Sequence, residues 1–200
     1  WTRDARVRTE LVRVAGDVSG FIRELRVQDN QLVHQGDLLF AIDPSRFALA
    51  VAQAEANVER LTLTQAQKAR DASRAQRLNQ MISEATREQT LSEARIAAAE
   101  LEQARIALQQ ARLDLARTQV RAPCDGYVTN LKLHAGDYLQ AGSPVLALLS
   151  ANEFYVIGYF EETKLPRVQP GAPVEVRLMG VATALRGHVS SIASGIQDDV

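Results

Sequence analysis

One long stretch of the chain is free of the two residues that interrupt helices most often. Between residues 45 and 122 there is no glycine and no proline, although the whole sequence contains eleven glycines and six prolines. Both residues are strong breakers of regular structure, so their absence over this distance favours helix. The flanking segments are punctuated by glycine and carry the short apolar runs of β-strands. A long helical segment between β-rich flanks is therefore predicted.

The two flanks repeat each other. A shift of 106 positions aligns residues 14–42 with residues 120–148 without a gap. The identical pairs are Val14/Val120, Gly20/Gly126, Leu25/Leu131, Gly36/Gly142 and Ala41/Ala147. Asn30 aligns with Gly136, and both residue types accept a left-handed backbone, so one tight turn is predicted to be shared. Each half has too few strands to be stable alone, so the halves are predicted to pack as one β-sandwich.

This packing requires the helical segment to turn back, because residues 43 and 120 must lie close together. An unbroken helix of about 75 residues would separate them by roughly 110 Å. Two antiparallel arms of about 35 residues would each be roughly 50 Å long. The reversal is predicted near residues 80–83, where the apolar pattern is interrupted and Ser83 can cap the second helix.

Seam residues recur in both arms at alternating spacings of four and three, the pattern of a coiled coil. They are Phe47, Val51, Ala54, Val58, Leu61, Gln65, Ala72 and Ala75, then Ala94, Ala97, Leu101, Ala104, Leu108, Ala111, Leu115 and Thr118. Ile106 and Leu113 lie off this seam and indicate a second contact face. Asp43 and Pro44 supply an N-cap and a first helical residue for the first arm.

Strand-like segments return after Ser150, at residues 154–160, 174–179 and 185–192. They indicate a β-barrel-type domain that the N-terminal strand joins. The predicted fold is mixed α and β and elongated: a split lipoyl/biotinyl-like β-sandwich with an inserted antiparallel coiled-coil hairpin, plus a truncated β-barrel. The predicted domains are 1–13 (N-terminal strand), 14–43 (first sandwich half), 44–119 (hairpin), 120–149 (second half) and 150–200 (incomplete barrel).

The composition argues against several classes of function. A net charge of −1, from 23 basic and 24 acidic residues, gives no basic excess for nucleic acid. The single Cys124 excludes an intramolecular disulfide and a multi-cysteine metal site. The three histidines are scattered without metal-ligand spacing. No apolar run reaches the length of a membrane-spanning helix.

Catalytic chemistry is not indicated either. Glu161 and Glu162 are adjacent, so on a strand they point to opposite faces and make a poor catalytic pair. No nucleophile-elbow, Walker-type or dinucleotide-binding motif occurs. The sequence therefore predicts no enzyme activity, no metal and no cofactor.

Two non-transport interpretations are compatible with the pattern. Paired β halves of this size resemble biotinyl and lipoyl carrier domains, which present a modifiable lysine between the halves. The helical insertion occupies that place here, and the only lysine in either half is Lys132, predicted in an interior strand position. The hairpin alone would also suit a coiled-coil module that only spaces or oligomerises.

Three motifs make the chain resemble the HlyD family of periplasmic adaptors, also called membrane fusion proteins. They are Val18-Ser19-Gly20-Phe21-Ile22, the segment from Val33 through Gly36-Asp37 to Ile42-Asp43-Pro44, and Val120-Arg121-Ala122-Pro123 followed by Asp125-Gly126-Tyr127-Val128. Residues 1–6 and 154–165 are further similar to the adaptors of p-hydroxybenzoic acid (aromatic carboxylic acid) efflux pumps.

The resemblance implies a function in transport without catalysis. An inner-membrane helix is expected before Trp1, and the barrel is expected to continue beyond Val200. The protein is expected in the periplasm of a Gram-negative bacterium. Its barrel region would contact an inner-membrane transporter, and its hairpin tip a TolC-like outer-membrane channel. Self-association is expected, as a ring of six copies.

The resemblance also implies specific contact residues. Arg74, Leu78 and Ser83 follow the order of the family's channel-contacting residues at the hairpin tip, with a shorter spacing before the serine, and Arg77 is an alternative to Arg74. In the barrel, the expected transporter-facing residues are Glu161, Glu162 and Lys164. The alternative functions are an adaptor for a drug or peptide exporter of the same family, and the non-transport oligomerisation module.

Overall fold

The computed structural model describes residues 1–2, 4–78, 81–161, 163–179 and 183–193. They form two compact units: one lies within residues 9–153, and the other consists of the described residues among 1–8 and after 153. The strands are β1 (Ala5–Ala15), β2 (Gly20–Leu25), β3 (Leu32–Val33), β4 (Leu38–Ile42), β5 (Gln119–Arg121), β6 (Gly126–Thr129), β7 (Tyr138–Leu139), β8 (Pro144–Gly158), β9 (Pro173–Val176) and β10 (Leu185–His188). The helices are α1 (Ser45–Arg77), α2 (Glu84–Ala116) and a short 3₁₀ helix (Leu165–Arg167).

The β-sandwich of the larger unit is built by exchange of strands between the two repeat halves. One sheet has the order β1-β8-β6-β3 and the other β5-β4-β2-β7. β3 of the first half pairs antiparallel with β6 of the second, through Val33 and Gly126. β7 of the second half pairs with β2 of the first, through Tyr138 and Phe21. Each half therefore completes a sheet of the other, which confirms the predicted sandwich.

The core of this sandwich contains the same positions from each half. The buried residues related by the repeat are Ile22/Val128, Val27/Leu133, Val33/Leu139, Phe40/Leu146 and Ile42/Leu148. The predicted shared turn is also present, since Asn30 has φ 64° and its repeat partner Gly136 has φ 95°. Positions related by the sequence repeat are therefore buried together in one core.

The helical segment is a hairpin, as predicted. α1 and α2 are 33 residues each, or about 50 Å long at 1.5 Å per residue. The buried residues of the two arms all belong to the predicted seam: Leu61, Ala72 and Ala75 on α1, and Ala97, Leu101 and Ala104 on α2. The many alanines leave room for the helices to approach closely. Ile106 and Leu113 are exposed.

The start of α1 is one residue later than predicted, because Pro44 rather than Asp43 is the N-cap residue and the helix begins at Ser45. Pro44 has helical backbone angles (φ −81°, ψ −7°), and its carbonyl accepts the first helical hydrogen bond from the Ala48 N–H. The Asp43 carboxylate accepts hydrogen bonds from the Ser45 N–H and hydroxyl. These bonds, the one from the side chain of Ser45 first, lower the pKa of Asp43. Asp43 thus holds the point where the chain leaves the sandwich.

In the smaller unit, β9 and β10 form an antiparallel pair, from Leu185 against Val176 to His188 against Pro173. The Tyr159 N–H donates to the Asp4 carbonyl at 2.9 Å. β9 and β10 end before the limits of 179 and 192 predicted from the sequence. The sequence places a domain boundary after residue 149, and β8 runs through this position without a break. The domain boundaries therefore stay a prediction.

We expect Gly126→Ala to destabilise the sandwich. An added Cβ would lie 2.4 Å from the Leu149 carbonyl oxygen on β8, and backbone cannot move aside as a side chain can. The expected loss of unfolding free energy is about 1–3 kcal/mol, the usual cost of overpacking. Urea unfolding followed by circular dichroism measures it. At Gly187 an added Cβ meets nothing within 4 Å, so Gly187→Ala is the control, and equal midpoints for the two variants would contradict this packing.

Candidate functional site

The free end of the hairpin brings together the residues predicted for the tip. α1 ends at Arg77, and the Leu78 N–H donates to the Arg74 carbonyl at 3.1 Å. The Met81 N–H then donates to the Leu78 carbonyl at 2.6 Å. The chain reverses here, as predicted, although Gln80 of the predicted turn lies outside the described residues. Arg74, Arg77, Leu78 and Ser83 therefore belong to one end of one element.

The arginines at this end are well exposed. Arg74 is 3.8 Å from Asp71, a loose ion pair in which the Arg74 side chain remains 69% exposed. Arg77 has no ion-pair partner within the described ranges. An open groove beside them on α1 is lined by Ala69, Arg70, Ser73, Arg74 and Arg77. The groove is cationic, and Arg70 is a member that the tip motif did not indicate.

Apolar side chains are also exposed at this end. Leu78 is 39% exposed and Met81 is 84% exposed. Met81 was missed as a contact residue in the sequence, because it was interpreted only as an interruption of the helical pattern. Exposed apolar side chains beside cationic ones are typical of surfaces that bind another protein.

Ser83 has a structural role that the motif did not predict in detail. Its Oγ accepts a hydrogen bond from the Thr86 N–H at 3.2 Å and lies 2.8 Å from the Thr86 hydroxyl. Ser83 is thus the N-cap of α2, which confirms the capping prediction. Its hydroxyl is already engaged within the hairpin.

Two ion pairs join the two helices of the arm behind this end. Lys68 Nζ lies 2.7 Å from Glu93 Oε2, and Arg112 Nη2 lies 2.7 Å from Glu55 Oε1. The hydrogen bond from Lys68, followed by that from Gln89, lowers the pKa of Glu93. The hydrogen bond to Glu93 raises the pKa of Lys68. Both groups therefore remain charged at neutral pH.

The residues predicted to face a transporter lie in the smaller unit. Lys164 Nζ is 3.2 Å from Glu161 Oε2, and the Lys164 N–H donates to the Glu161 carbonyl at 2.8 Å. Both side chains are exposed in the turn that precedes the 3₁₀ helix. Glu162 lies outside the described residues. The structure thus brings Glu161 and Lys164 together as a surface pair.

The described part of the chain contains no cluster of side chains that could bind a metal ion. No three His, Cys, Asp or Glu side chains there are placed to share a metal ion. Lys132 is exposed in an irregular segment between β6 and β7, and its N–H donates to the Val145 carbonyl at 3.1 Å. The prediction that Lys132 lies inside a strand was wrong, because the segment between β6 and β7 is a turn-rich connection. No helix in the ranges described has the length and apolarity to cross a membrane.

Known families and relatives match most of the chain. Residues 10–150 match the family model described as RND MFP, barrel-sandwich hybrid domain, and residues 153–200 match an AAEA-like beta-barrel domain. The uncharacterized protein YdhJ of Escherichia coli (strain K12) is 42% identical over 199 residues, which are 99% of this chain and 70% of YdhJ.

Solved structures share the fold. The membrane fusion protein Spr0693 from Streptococcus pneumoniae R6 has a TM-score of 0.74 at 21% identity, covering 96% of this chain and 82% of that one. A MacA-MexA chimera containing the Pseudomonas aeruginosa MexA α-hairpin has a TM-score of 0.66 at 24% identity, covering 96% and 68%. The chain spans 56% of the length of a similar solved protein from Bacteroides eggerthii DSM 20697.

We expect Ser83→Ala to destabilise the hairpin end by about 1 kcal/mol, the usual cost of losing an N-cap. Ser83→Asp retains an acceptor at the helix N-terminus and should keep the stability of the parent. Hydrogen exchange at the Thr86 amide reports the difference directly. Equal protection of that amide in the alanine and aspartate variants would contradict the capping role.

Proposed function

Because the chain belongs to the RND membrane fusion protein (MFP) family, we propose that it is a periplasmic adaptor subunit of a tripartite efflux pump. Members of this family are adaptor proteins, not enzymes. In the proposed pump, the adaptor links an inner-membrane transporter to a TolC-like outer-membrane channel. A membrane anchor before residue 1 in the full-length protein would hold it on the periplasmic side of the inner membrane.

The main structural support for this proposal is the long helical hairpin, whose free end is exposed. Two helices of 33 residues extend about 50 Å, and both are anchored at one end in the β-sandwich. The seam and the two ion pairs across the helices oppose bending of the arm. Such an arm suits a spacer that must present its tip at a set distance from its base.

The tip has the chemistry for docking onto the ends of channel helices. Arg74 and Arg77 supply cations, which are favourable beside helix C-termini and carboxylates. Leu78 and Met81 supply exposed apolar surface that a partner can cover. We assign Arg74, Arg77 and Leu78 to the channel contact. Ser83 caps the N-terminus of α2 beside them.

The barrel-side contact is proposed for Glu161, Glu162 and Lys164. The Glu161–Lys164 pair is exposed, so a transporter surface with charges of both signs could bind it without desolvating an isolated charge. Testing this contact requires charge reversal at Glu161 and Lys164 separately.

Aromatic carboxylic acids are the proposed substrates. Support comes from the resemblance of residues 154–165 to adaptors of p-hydroxybenzoic acid pumps, and these residues lie inside the matched barrel region. A drug or peptide exporter is the competing proposal. Complementation of a deletion strain, challenged in parallel with aromatic carboxylates and with neutral aromatic drugs, separates the two.

We expect Leu78→Asp in the full-length protein to abolish export while leaving the fold intact. Leu78 belongs to neither core cluster of the described residues, and a buried carboxylate at the channel contact would be unpaired. Efflux of p-hydroxybenzoate from cells measures the loss, and circular dichroism verifies the fold. Gln109→Asp, an exposed change on α2 away from the tip, is the matched control. Normal efflux by Leu78→Asp would refute the tip assignment.

A further inference from the structure

A groove lies at the root of the hairpin, between the edges of the two sandwich sheets. β1 and β5 each stand at the end of the strand order of their own sheet. Residues of both strands line the groove, together with the C-terminal end of α2. The groove has a volume of about 490 Å³ and lies wholly within residues 9–153. It is therefore a surface separate from the hairpin tip.

The apolar part of the groove lining is continuous with the core of the sandwich. Val14 is buried in that core, and Val120 is half-buried against it. Ala116 and Pro123 add exposed apolar surface to the lining. A ligand with an aromatic ring would remove this surface from water.

Three arginines line the groove, and two of them have no carboxylate partner. Arg117 Nε lies 3.3 Å from Oδ2 of Asp17, which is the only acidic residue of the described lining. The Arg121 guanidinium donates to the Gly36 carbonyl at 2.9 Å and to a glutamine side chain, both neutral acceptors. Neither Arg121 nor Arg13 has an ion-pair partner within the described ranges. The lining therefore holds two uncompensated positive charges.

The end of α2 does not cancel these charges. The C-terminus of a helix carries about half a negative elementary charge, and α2 ends at Ala116 in the groove lining. One of its last carbonyls, that of Leu113, accepts a hydrogen bond from the Arg117 N–H at 2.9 Å. Two guanidinium charges exceed this partial charge, so the potential in the groove favours an anion.

The combination of charge and apolar surface selects one class of ligand. A guanidinium binds a carboxylate through paired, charge-assisted hydrogen bonds. A small inorganic anion would leave the apolar lining in water, and a neutral aromatic molecule would leave the arginine charges unpaired. An aromatic carboxylate, which is ionised at neutral pH, satisfies both parts of the groove.

We propose that this groove binds aromatic carboxylates, with the carboxylate on Arg13 and Arg121 and the ring against Val120 and Pro123. The proposal rests on the proposed function and deepens it, because it assigns a substrate-binding site to the adaptor itself. An open groove covers less of its ligand than a closed pocket, so the binding is weak, with a dissociation constant on the order of 1 mM.

Ligand-detected NMR titration of the full-length protein in lipid nanodiscs measures this binding, with empty nanodiscs as the blank. We expect p-hydroxybenzoate to bind at least ten times more tightly than neutral p-hydroxybenzamide, and equimolar inorganic phosphate to displace little of it. Arg13→Gln should raise the dissociation constant at least fivefold, because it removes one uncompensated charge. Arg95→Gln, a change at an exposed arginine of α2 away from the groove, is the matched control and should leave it unchanged.

Photolabelling locates the site independently of affinity. p-Azidobenzoate is an aromatic carboxylate that attaches covalently to its surroundings on illumination, and mass spectrometry identifies the labelled residues. The label is expected within residues 12–17 and 116–123. An excess of p-hydroxybenzoate should reduce this labelling several-fold, and the same excess of p-hydroxybenzamide should not.

Equal affinity for the acid and the amide, equal affinity of Arg13→Gln and the parent, or full displacement by equimolar phosphate would each overturn the proposal. Label confined to other parts of the chain would overturn it too. Efflux of p-hydroxybenzoate is measured in cells that express the same protein. Specific binding at the groove without efflux would refute the transport proposal alone, and efflux without binding at the groove would refute this site alone.

Discussion

The hairpin exists because the strands of the sandwich must return to each other. β4 ends at Ile42 and β5 begins at Gln119, yet the Ile42 N–H donates to the Thr118 carbonyl at 2.8 Å. With the two ends of the insertion held this close, 33-residue helices can only run out and back. The exchange of strands between the repeat halves sets this condition, since separating the halves would expose the apolar core that they share.

The same condition determines the properties of the arm. Both helices start from one sheet, so the arm has a fixed root, and its seam of alanine and leucine keeps the helices in register. Burial along the seam leaves the end and the outer edges to carry exposed groups. The cationic and apolar tip is therefore a surface separate from the buried seam, and a partner can bind it without disturbing the helix packing.

The sequence predicted the parts of this structure that depend on periodicity and backbone geometry. The 106-residue repeat predicted the paired core, the left-handed turn at Asn30 and the need for a reversal. Capping chemistry predicted Ser83 and placed the cap of α1 at Asp43, one residue before the observed Pro44. The sequence missed the Lys68–Glu93 and Glu55–Arg112 pairs, which join side chains distant in sequence. It also missed the exposure of Met81, whose neighbours depend on how the chain reverses. Lys132 was misplaced because a local apolar alternation does not distinguish a strand from an extended connection.

If the hairpin works by its length, a shortened arm must fail to connect its partners. Deleting residues 66–72 from α1 and 92–98 from α2 removes one heptad from each arm at the level of the Lys68–Glu93 pair. The seam register is preserved and the arm shortens by about 10 Å. Replacing the deleted heptads with copies of residues 59–65 and 99–105 restores the length with a different local sequence. We expect p-hydroxybenzoate efflux to be lost in the folded short variant and to return in the restored one. Full efflux by the short variant would show that the length of the hairpin is not critical.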